Sequence, residues 1–382
     1  MLCTGLVACN VTIQSLWLGL SISPIIYGVG NMTQALRDLQ AAAGATFTST
    51  AGGDAPLSFG NDATALLASQ KGIAICDRSH WGRIEVSGDD RLRFLHNQTT
   101  NDFQALKPGQ GCETVFVTST ARTIDLATAY VLESSVWLVV SPGYSQKLVQ
   151  WMDRYIFFAD KVELKEITNS TATFSLLGAE SHAWVKQIGG GAIEGQPSGS
   201  HQAVEVEGIP IRIAVGSGLA TPGYTLIVES EQAAALWSIL VAAGAVPLGD
   251  RLWEQLRITQ GRPAPGQELT EDVNPLEAGL WQTISLSKGC YIGQETIARL
   301  HTYKGVKQQL WGIRLSQAAA PESVVRVGEE KVGTLTSITE TDQGYQGLAY
   351  IRTKAVSPAL KVQVGETEGE LVALPFVSHE YP

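Results

Sequence analysis

The eight residues from Lys288 to Glu295 combine several reactive side-chain types within one short stretch. They read Lys-Gly-Cys-Tyr-Ile-Gly-Gln-Glu, which supplies an amine, a thiol, a phenol and a carboxylate. A cysteine acts as a nucleophile or metal ligand only as the thiolate, and a nearby ammonium group or helix N-terminus favours that form. Cys290 is therefore a candidate nucleophile, and Lys288 is the group that would activate it.

The flanking pattern predicts how this stretch is positioned. Apolar residues, with Glu295 and Arg299 four positions apart, indicate a helix that begins near Gly293. If the preceding residues are extended, Lys288 and Cys290 share a face, because side chains two positions apart point the same way. This arrangement predicts a thiol that titrates below the free value of roughly 8.5. The alternative is a buried structural cysteine on a glycine turn, since free cysteine is among the most buried residue types.

Length and composition exclude several classes of function. The chain has 382 residues, enough for two or three domains, and 44% hydrophobic residues, enough for a packed core. A net charge of −10 and the lack of a Lys/Arg run argue against a general nucleic-acid-binding protein. Five cysteines without a CxxC pair indicate a reducing, cytoplasmic compartment and no metal site within the chain.

The first 31 residues differ from the rest because they carry no charged side chain. A secretory signal would begin with positive charge, and polar residues with Pro24 interrupt the apolar runs that a transmembrane helix needs. An amphipathic helix is predicted to begin at Met32. We therefore predict that residues 1–31 are a spurious or disordered extension and that the protein does not enter a membrane. A transit or membrane segment is the alternative.

The remaining chain mixes predicted strands and helices without strict βαβ alternation, which favours an α+β fold over a doubly wound sheet. Between residues 44 and 61, Gly, Ala, Ser and Thr predict a loop. A helix is predicted over Ser145–Phe157, and another over Arg251–Thr259 with Asp250 as its N-cap. No G-x-G-x-x-G or Walker A spacing is present, so dinucleotide and P-loop binding have no support.

The 288–295 motif resembles the signature of the YgfZ-type folate-binding proteins, which are relatives of the glycine-cleavage T-protein, an aminomethyltransferase. Residues 274–280 support the resemblance, which covers most of residues 32–375 and is strongest from 250 to 305. It implies a three-lobed α+β fold, in which two interleaved α/β lobes and a C-terminal β-barrel surround a central folate channel. Cys290 would lie near the mouth of that channel.

The resemblance also implies a domain organisation. Residues 32–302 would form the folate-binding core, with a ferredoxin-like lobe at about 165–245. Residues 303–382 would form the barrel. The sequence supports the last assignment, because short apolar runs separated by glycine-bearing turns predict a small, nearly closed β-barrel in this region.

Binding of tetrahydrofolate or a derivative makes three demands on a protein. The guanidine-like edge of the pterin suits a carboxylate, the ring suits an aromatic slot, and the glutamate tail suits a cation. The candidates are Asp125 for the edge, Tyr224 or Trp281 for the slot, and Arg257 for the tail. Each has a structural alternative: Asp125 a solvated strand position, Trp281 a core residue, and Arg257 the partner of Glu254.

The resemblance adds Glu277 to these folate contacts, because residues 275–281 resemble the T-protein stretch that forms one wall of the folate site. Other acidic positions are missing. Leu126 follows Asp125 where that family has an acidic pair, and residues 218–224 lack its pterin-contacting Glu. Aminomethyl transfer needs a carboxylate to orient the folate nitrogen and stabilise an iminium-like intermediate. The scaffold is therefore better suited to holding folate than to transferring an aminomethyl group.

We accordingly predict a monomeric tetrahydrofolate-binding accessory protein. As the resemblance implies, it would support the assembly or repair of iron–sulfur clusters in client enzymes, including enzymes that modify tRNA. Its partners would be those client or assembly proteins. The alternative is an enzyme, either a folate-dependent aminomethyltransferase or a demethylase, and the net charge disfavours a third possibility, a tRNA-binding module.

Overall fold

The structure is a computed structural model that describes residues 30–357 and 359–382. The predicted N-terminal extension therefore lies outside the described residues, except for its last two positions, which begin the first helix. No helix within the described ranges is long and apolar enough to cross a membrane.

The described part of the chain contains eight α-helices. They are α1 (Gly30–Ala42), α2 (Asp62–Lys71), α3 (Arg91–Gln98), α4 (Ser145–Asp153), α5 (Ser181–Gln187), α6 (Ala233–Ala242), α7 (Asp250–Gln260) and α8 (Gln294–Thr302). Helix α4 ends at Asp153 and not, as predicted, at Phe157. Helix α7 starts one residue earlier than predicted, with Gly249 as its N-cap, and it ends at Gly261, whose φ of +90° provides the left-handed turn typical after a helix.

Nineteen β-strands accompany these helices in the described ranges. They are β1 (Thr46–Thr50), β2 (Gly53–Ser58), β3 (Ala74–Asp77), β4 (Gly82–Ser87), β5 (Gly111–Val117), β6 (Thr123–Val131), β7 (Ser135–Val140), β8 (Glu163–Glu166), β9 (Thr171–Leu177), β10 (His201–Val206), β11 (Ile209–Val215), β12 (Gly223–Glu229), β13 (Val246–Leu248), β14 (Gln308–Leu315), β15 (Val324–Val327), β16 (Glu330–Thr341), β17 (Gly344–Arg352), β18 (Lys361–Val364) and β19 (Thr367–Val372).

Two open sheets form the α/β lobes, and their strands interleave along the chain. The first sheet has the order β5-β6-β7-β4-β8, and the second has the order β10-β11-β12-β9-β3-β13. Strand β3 precedes the whole first sheet in sequence, yet it lies inside the second, between β9 and its parallel neighbour β13. The chain therefore leaves the second lobe after β3, builds the first lobe and then returns.

The C-terminal strands close into a barrel with the order β14-β17-β16-β15-β18-β19. Its interior is filled by apolar side chains, among them Ile313, Leu335 and Ile351. Closure pairs every strand on both sides, so the barrel exposes no sheet edge. The predicted C-terminal β-barrel is confirmed.

The segment predicted as a loop at residues 44–61 was assigned wrongly, because it contains a hairpin. Strands β1 and β2 pair antiparallel from Thr46–Ser58 to Thr50–Gly53. The β-branched threonines at positions 46, 48 and 50 fit a pleated strand, and this preference outweighs the loop-like composition of the segment. The hairpin places Thr50 beside the cavity described below.

The lobes meet in an apolar cluster built from distant parts of the chain. It includes Trp81 before β4, Tyr130 on β6, Leu177 on β9, and Leu252 with Trp253 on α7. Each of these side chains is buried. Burial of this shared surface fixes the orientation of α7 against both sheets, and one face of α7 then borders an opening between the lobes.

Candidate functional site

A cavity of about 240 Å³ lies where both lobes, α7 and the loop after it come together. Its walls include the indoles of Trp81 and Trp253, the hydroxyl-bearing Ser141, and the side chains of Arg257 and Arg262. Concave, largely apolar sites with a few convergent polar groups are the usual form of small-molecule sites. The cavity is therefore the candidate functional site.

The aromatic wall of the cavity is held in place by a buried arginine. Trp81 and Trp253 meet edge to face, with ring centroids 6.2 Å apart. The Arg78 guanidinium lies 3.7 Å from the Trp81 ring centroid and 4.4 Å from that of Trp253. Burial, together with the neighbouring Arg262, lowers the pKa of Arg78 to about 9, so it remains a cation at neutral pH. Cation–π contacts of this kind keep both indoles in one orientation.

Arg257 lines the cavity, but its guanidinium is already engaged. It donates to Glu268 at 2.8 Å and to Glu254 at 2.5 Å, and it also reaches Gln267 and Ser337 on β16. Burial alone would lower the pKa of Arg257, but the two carboxylates raise it above its ordinary value. The pairing with Glu254 that was the structural alternative is thus present. Arg257 ties α7 to the barrel and has little capacity left for a glutamate tail.

Asp125 lies one layer behind the cavity wall. Its carboxylate accepts hydrogen bonds from the Ser141 hydroxyl at 2.6 Å and from the Ser141 amide at 2.9 Å. The side chain is 0% exposed, so the alternative of a solvated strand position was wrong. Burial raises the pKa of Asp125 to about 6, against the effect of these hydrogen bonds. Ser141 lines the cavity, so Asp125 positions a residue of the cavity wall without reaching the cavity itself.

The carboxyl groups that line the cavity belong to α7. Asp250 and Glu254 occupy the face that also carries Arg257, at positions i, i+4 and i+7. Burial and the charge of Glu254 raise the pKa of Asp250 to about 6. Its carboxylate lies 3.5 Å from Nε2 of His80, whose pKa burial lowers to about 3. His80 is therefore neutral at neutral pH and can serve as a hydrogen-bonding group, not as a cation.

Arg262 completes the polar part of the wall. Its guanidinium is buried, lies 3.1 Å from Glu113 on β5, and faces the rings of Phe376 and Trp81 at 5.2 and 5.5 Å. It connects the loop after α7 to the first lobe and to the C-terminal segment. No pattern in the sequence marks Arg78, Trp81 or Arg262, because each becomes part of the site only through tertiary contacts.

Three predicted folate contacts, Tyr224, Trp281 and Glu277, lie away from this cavity, and their contact with folate stays a prediction. Tyr224 is buried on β12, where its hydroxyl is 2.7 Å from Nδ1 of His182. Trp281 packs against Tyr381 at 4.7 Å, which bears out its alternative as a core residue. Glu277 accepts a hydrogen bond from the backbone N–H of Asn274 at 3.2 Å, which stabilises the turn between these two residues. None of the three predicted contacts lines the cavity.

The 288–295 motif separates its reactive groups. Lys288 is 7% exposed, and its ammonium group donates to the carbonyl oxygens of His96, Thr99 and Asn101 at 2.5, 2.7 and 2.7 Å. These carbonyls lie at the C-terminal end of α3, where helices leave acceptors unpaired and favour a cation. Burial lowers the pKa of Lys288 to about 7, while the carbonyl contacts favour the protonated form.

Cys290, in contrast, is exposed on the loop before α8. Gly293 ends that loop with a φ of +82°, and a Cβ there would lie 2.9 Å from the Thr118 carbonyl oxygen. The helix begins where the pattern predicted, so the thiol is close to its N-terminal end in sequence. The three donors of the Lys288 ammonium point to the end of α3, an arrangement that the sequence did not predict, and activation of the thiol by Lys288 stays a prediction.

A histidine that was not singled out from the sequence lies beside the motif. Nδ1 of His96 is 3.0 Å from Asp102, and its Nε2 lies 3.8 Å from where a Cβ on Gly289 would be. Burial and the Lys288 charge lower the pKa of His96. Across the described ranges, no group of three or more His, Cys, Asp and Glu residues could hold a metal ion.

Fold and site together define an α+β protein with a C-terminal barrel and an arginine-bordered aromatic cavity between its lobes. Residues 36–288 match the GCVT N-terminal domain family. The chain therefore belongs to the folate-dependent glycine-cleavage T-protein family, and this part of the predicted resemblance is confirmed.

Individual relatives extend over most of the chain. A chloroplastic Arabidopsis thaliana protein, provisionally named a transferase, is 49% identical over 85% of this chain and 76% of its own length. The aminomethyltransferase of Bacillus mycoides is 27% identical over 89% of this chain and 96% of its own.

A solved structure has the same fold. Glycine cleavage system aminomethyltransferase T from Bartonella henselae superposes with a TM-score of 0.79 at 21% identity, over 91% of this chain and 98% of that chain. This likeness shows the fold, and the predicted T-protein fold is confirmed. Membership of the YgfZ-type branch remains a prediction.

Proposed function

We propose that this protein binds tetrahydrofolate or a derivative, with the pterin ring in the cavity between Trp81 and Trp253. The proposal rests on the cavity itself. Arg78 fixes the two indoles of the cavity, and two further arginines lie in its walls. Its volume of about 240 Å³ lies below the roughly 300–1,000 Å³ of sites that enclose a whole drug-sized ligand. A fused ring system, with the rest of the ligand outside, matches that size.

The polar groups of the wall suit the edge of a pterin. Asp250 and Glu254 supply acceptors for its amino group and ring N–H, and Ser141, backed by Asp125, supplies a hydroxyl. Charge-assisted hydrogen bonds are the strongest that such an edge can make. In this proposal, Asp250 and Glu254 replace Asp125 as the direct contacts, and Asp125 positions Ser141.

A matched pair of tryptophan variants tests the folate proposal. Trp81 lines the cavity and Trp281 does not, yet each is 7% exposed. We expect Trp81→Leu to weaken tetrahydrofolate binding by about tenfold or more, because stacking on an aromatic ring contributes roughly 1–3 kcal/mol. Trp281→Leu should leave the affinity unchanged. Isothermal titration calorimetry measures both, with circular dichroism to confirm that each variant is folded.

The opposite result would place the folate site elsewhere in the protein. If Trp281→Leu lost affinity and Trp81→Leu kept it, Trp281 would form the aromatic slot, as the sequence predicted, and the ligand would lie near the C-terminal Tyr381 that packs on it. If the wild-type protein bound no reduced folate, the proposed function would be wrong altogether.

We further propose that the protein belongs to the YgfZ-type branch and supports iron–sulfur clusters in client enzymes of the cytoplasm, acting as a monomer through the exposed Cys290. The intact 288–295 motif and the accessibility of the thiol support this role. In a strain that lacks its YgfZ-type protein, the wild-type chain should restore client activity and Cys290→Ala should not. Full restoration by Cys290→Ala would remove the thiol from the mechanism.

An aminomethyltransferase is the second candidate, and the relatives that bear this name favour it. Such chemistry needs a carboxylate at the folate nitrogen. Asp125 is separated from the cavity by Ser141, and the buried Leu126 follows it, which favours binding over transfer. Formation of methylene-tetrahydrofolate from an aminomethyl donor distinguishes the two, because robust turnover that persists in Cys290→Ala would establish the enzyme.

A further inference from the structure

His96 presents a free ring nitrogen to the loop that carries Cys290. Its side chain, near the end of α3, is 6% exposed. Nδ1 lies 3.0 Å from Asp102, whereas Nε2 has no hydrogen-bond partner among the residues that the structure describes. A Cβ on Gly289 would lie 3.8 Å from Nε2 and, apart from its neighbours in the chain, would meet no other described heavy atom within 4 Å. The free nitrogen therefore faces the backbone directly before Cys290.

The carboxylate of Asp102 determines which nitrogen of His96 is free. Its Oδ1 also accepts hydrogen bonds from the backbone N–H groups of Gln104 and Ala105, at 3.0 and 3.2 Å. Because this carboxylate is an acceptor, Nδ1 of His96 is the donor and carries the proton of the neutral ring. Nε2 then keeps a lone pair that can take up a proton. A carboxylate behind an imidazole also stabilises the imidazolium that forms.

The charges that act on His96 come from Lys288 and Asp102. Lys288 donates to the main-chain carbonyl of His96 and so approaches it from the side away from Nε2. Burial, and then the charge of Lys288, lowers the pKa of His96, whereas Asp102 raises it. The ring is therefore neutral at neutral pH, which is the state that can accept a proton.

Two further titratable groups lie near Lys288 and stay protonated at neutral pH. Tyr291 has its ring centroid 4.4 Å from the Lys288 ammonium nitrogen, and Cys112 on β5 is close enough for the charges of Lys288 and Asp102 to act on it. Burial raises the pKa of both side chains to about 12. Neither group therefore competes with Cys290 as a source of a proton for His96.

The position of Gly289 leaves room for the thiol beside the ring. A side chain at this position would extend towards Nε2, and glycine leaves that space open. Cys290 is exposed, so its side chain can turn among the staggered rotamers without disturbing a packed core. We propose that His96 is the proton acceptor for Cys290. The S–H bond breaks, the proton moves to Nε2, and the thiolate remains paired with an imidazolium that Asp102 stabilises. This inference rests on the proposed role of the Cys290 thiol.

Alkylation of Cys290 at two pH values tests the inference on the full chain. In His96→Asn, the shorter amide can still donate to Asp102 but Nε2 is removed. We expect iodoacetamide to label Cys290 about tenfold more slowly in this variant at neutral pH, because a thiol without a base is only a few per cent thiolate there. Near pH 10 the two rates should converge, since a free thiol, with a pKa of about 8.5, ionises without a base. Peptide mass spectrometry locates the label.

Two further variants separate proton transfer from local structure. His96→Gln can place a polar group beside Gly289 but cannot take up a proton, and it should label as slowly as His96→Asn. His182→Asn is the matched control, because Nδ1 of His182 is also hydrogen-bonded, at 2.7 Å to Tyr224, but on α5. It should label at the wild-type rate. Circular dichroism confirms that each variant is folded.

The outcomes separate this inference from the function on which it rests. Equal rates in wild-type protein and both His96 variants at neutral pH would overturn the inference and leave the role of Cys290 in place. A reduction of the same size at both pH values, or one confined to His96→Gln, would also overturn it, because altered loop structure would then be the cause. Full restoration of client activity by Cys290→Ala would instead overturn the proposed role of the thiol, whatever the labelling rates.

Discussion

The 288–295 loop and the cavity between the lobes assemble chemistry in opposite ways. The loop holds its reactive groups next to one another in sequence, but the fold separates them: Lys288 is buried against α3 and Cys290 is exposed. The cavity draws on residues as far apart as Trp81 and Arg262, and the fold brings them within one wall. Residues that are close in sequence therefore need not act on one another in the folded protein.

Lys288 and Cys290 have different environments because Lys288 binds the C-terminal end of α3. A helix leaves its last carbonyl groups without intrahelical partners, and a buried end must find donors elsewhere. Lys288 supplies all three of its N–H donors to this end. A lysine in a reactive-looking motif can therefore have a structural role, while the neighbouring cysteine stays free for chemistry.

The largest effect expected from this comparison is on stability. Lys288→Met should destabilise the protein by about 3–4 kcal/mol, because several buried carbonyl groups would each lose a partner at roughly 1–3 kcal/mol, partly offset by relief of the buried charge. Cys290→Ala, an exposed position, should change the free energy of unfolding by no more than about 0.5 kcal/mol. Urea unfolding monitored by circular dichroism measures both.

Alkylation of Cys290 supplies a readout that a structural lysine should not affect. Under native conditions, the rate of iodoacetamide labelling at Cys290, located by peptide mass spectrometry, should be similar in Lys288→Met and wild-type protein. A labelling rate that drops severalfold while stability is unchanged would restore Lys288 as the activator of the thiol and remove the contrast between loop and cavity.

The fold was more predictable than the site, for physical reasons. The barrel and the α+β class follow from strand alternation and turn spacing, which are local properties of the chain. The β1–β2 hairpin was missed because small polar residues dominate its composition. At the site, Asp250, Glu254 and Arg257 share one helix face, so their i, i+4, i+7 spacing was a usable signal. Trp81 carries no such signal, because its role depends on contacts with Arg78 and Trp253.

The side-chain type of a candidate residue does not show whether the residue is buried. Tyr224 and Trp281 were chosen because they are aromatic, but an aromatic residue is more often part of a core, and both are buried in apolar clusters. Asp125 was chosen as a carboxylate near a hairpin, and the structure places it beside the cavity but behind Ser141. Its burial could not be inferred from strand periodicity, because both faces of β6 are largely covered.

A smaller effect on the free energy of unfolding, limited to acidic pH, is expected at Asp125. It tests whether the residue behind the cavity wall is buried. Burial raises the pKa of this group from the ordinary value of 3.8 to about 6. The folded state therefore holds the proton more tightly than the unfolded state. The stabilisation from the protonated group is complete below about pH 4 and is lost as the pH rises through 6, by up to about 3 kcal/mol at 1.36 kcal/mol per pKa unit.

Asp125→Asn removes this titration while keeping the contacts with Ser141, since the amide can accept from the Ser141 N–H and donate to its hydroxyl. The free energy of unfolding of the variant, minus that of the wild type, should rise between about pH 4 and pH 6 and stay level above. Asp250 titrates in both proteins, so its contribution cancels in the difference. A difference that is flat across this range would mean that Asp125 is ionised at pH 4 and in contact with solvent, and the cavity would then extend behind Ser141.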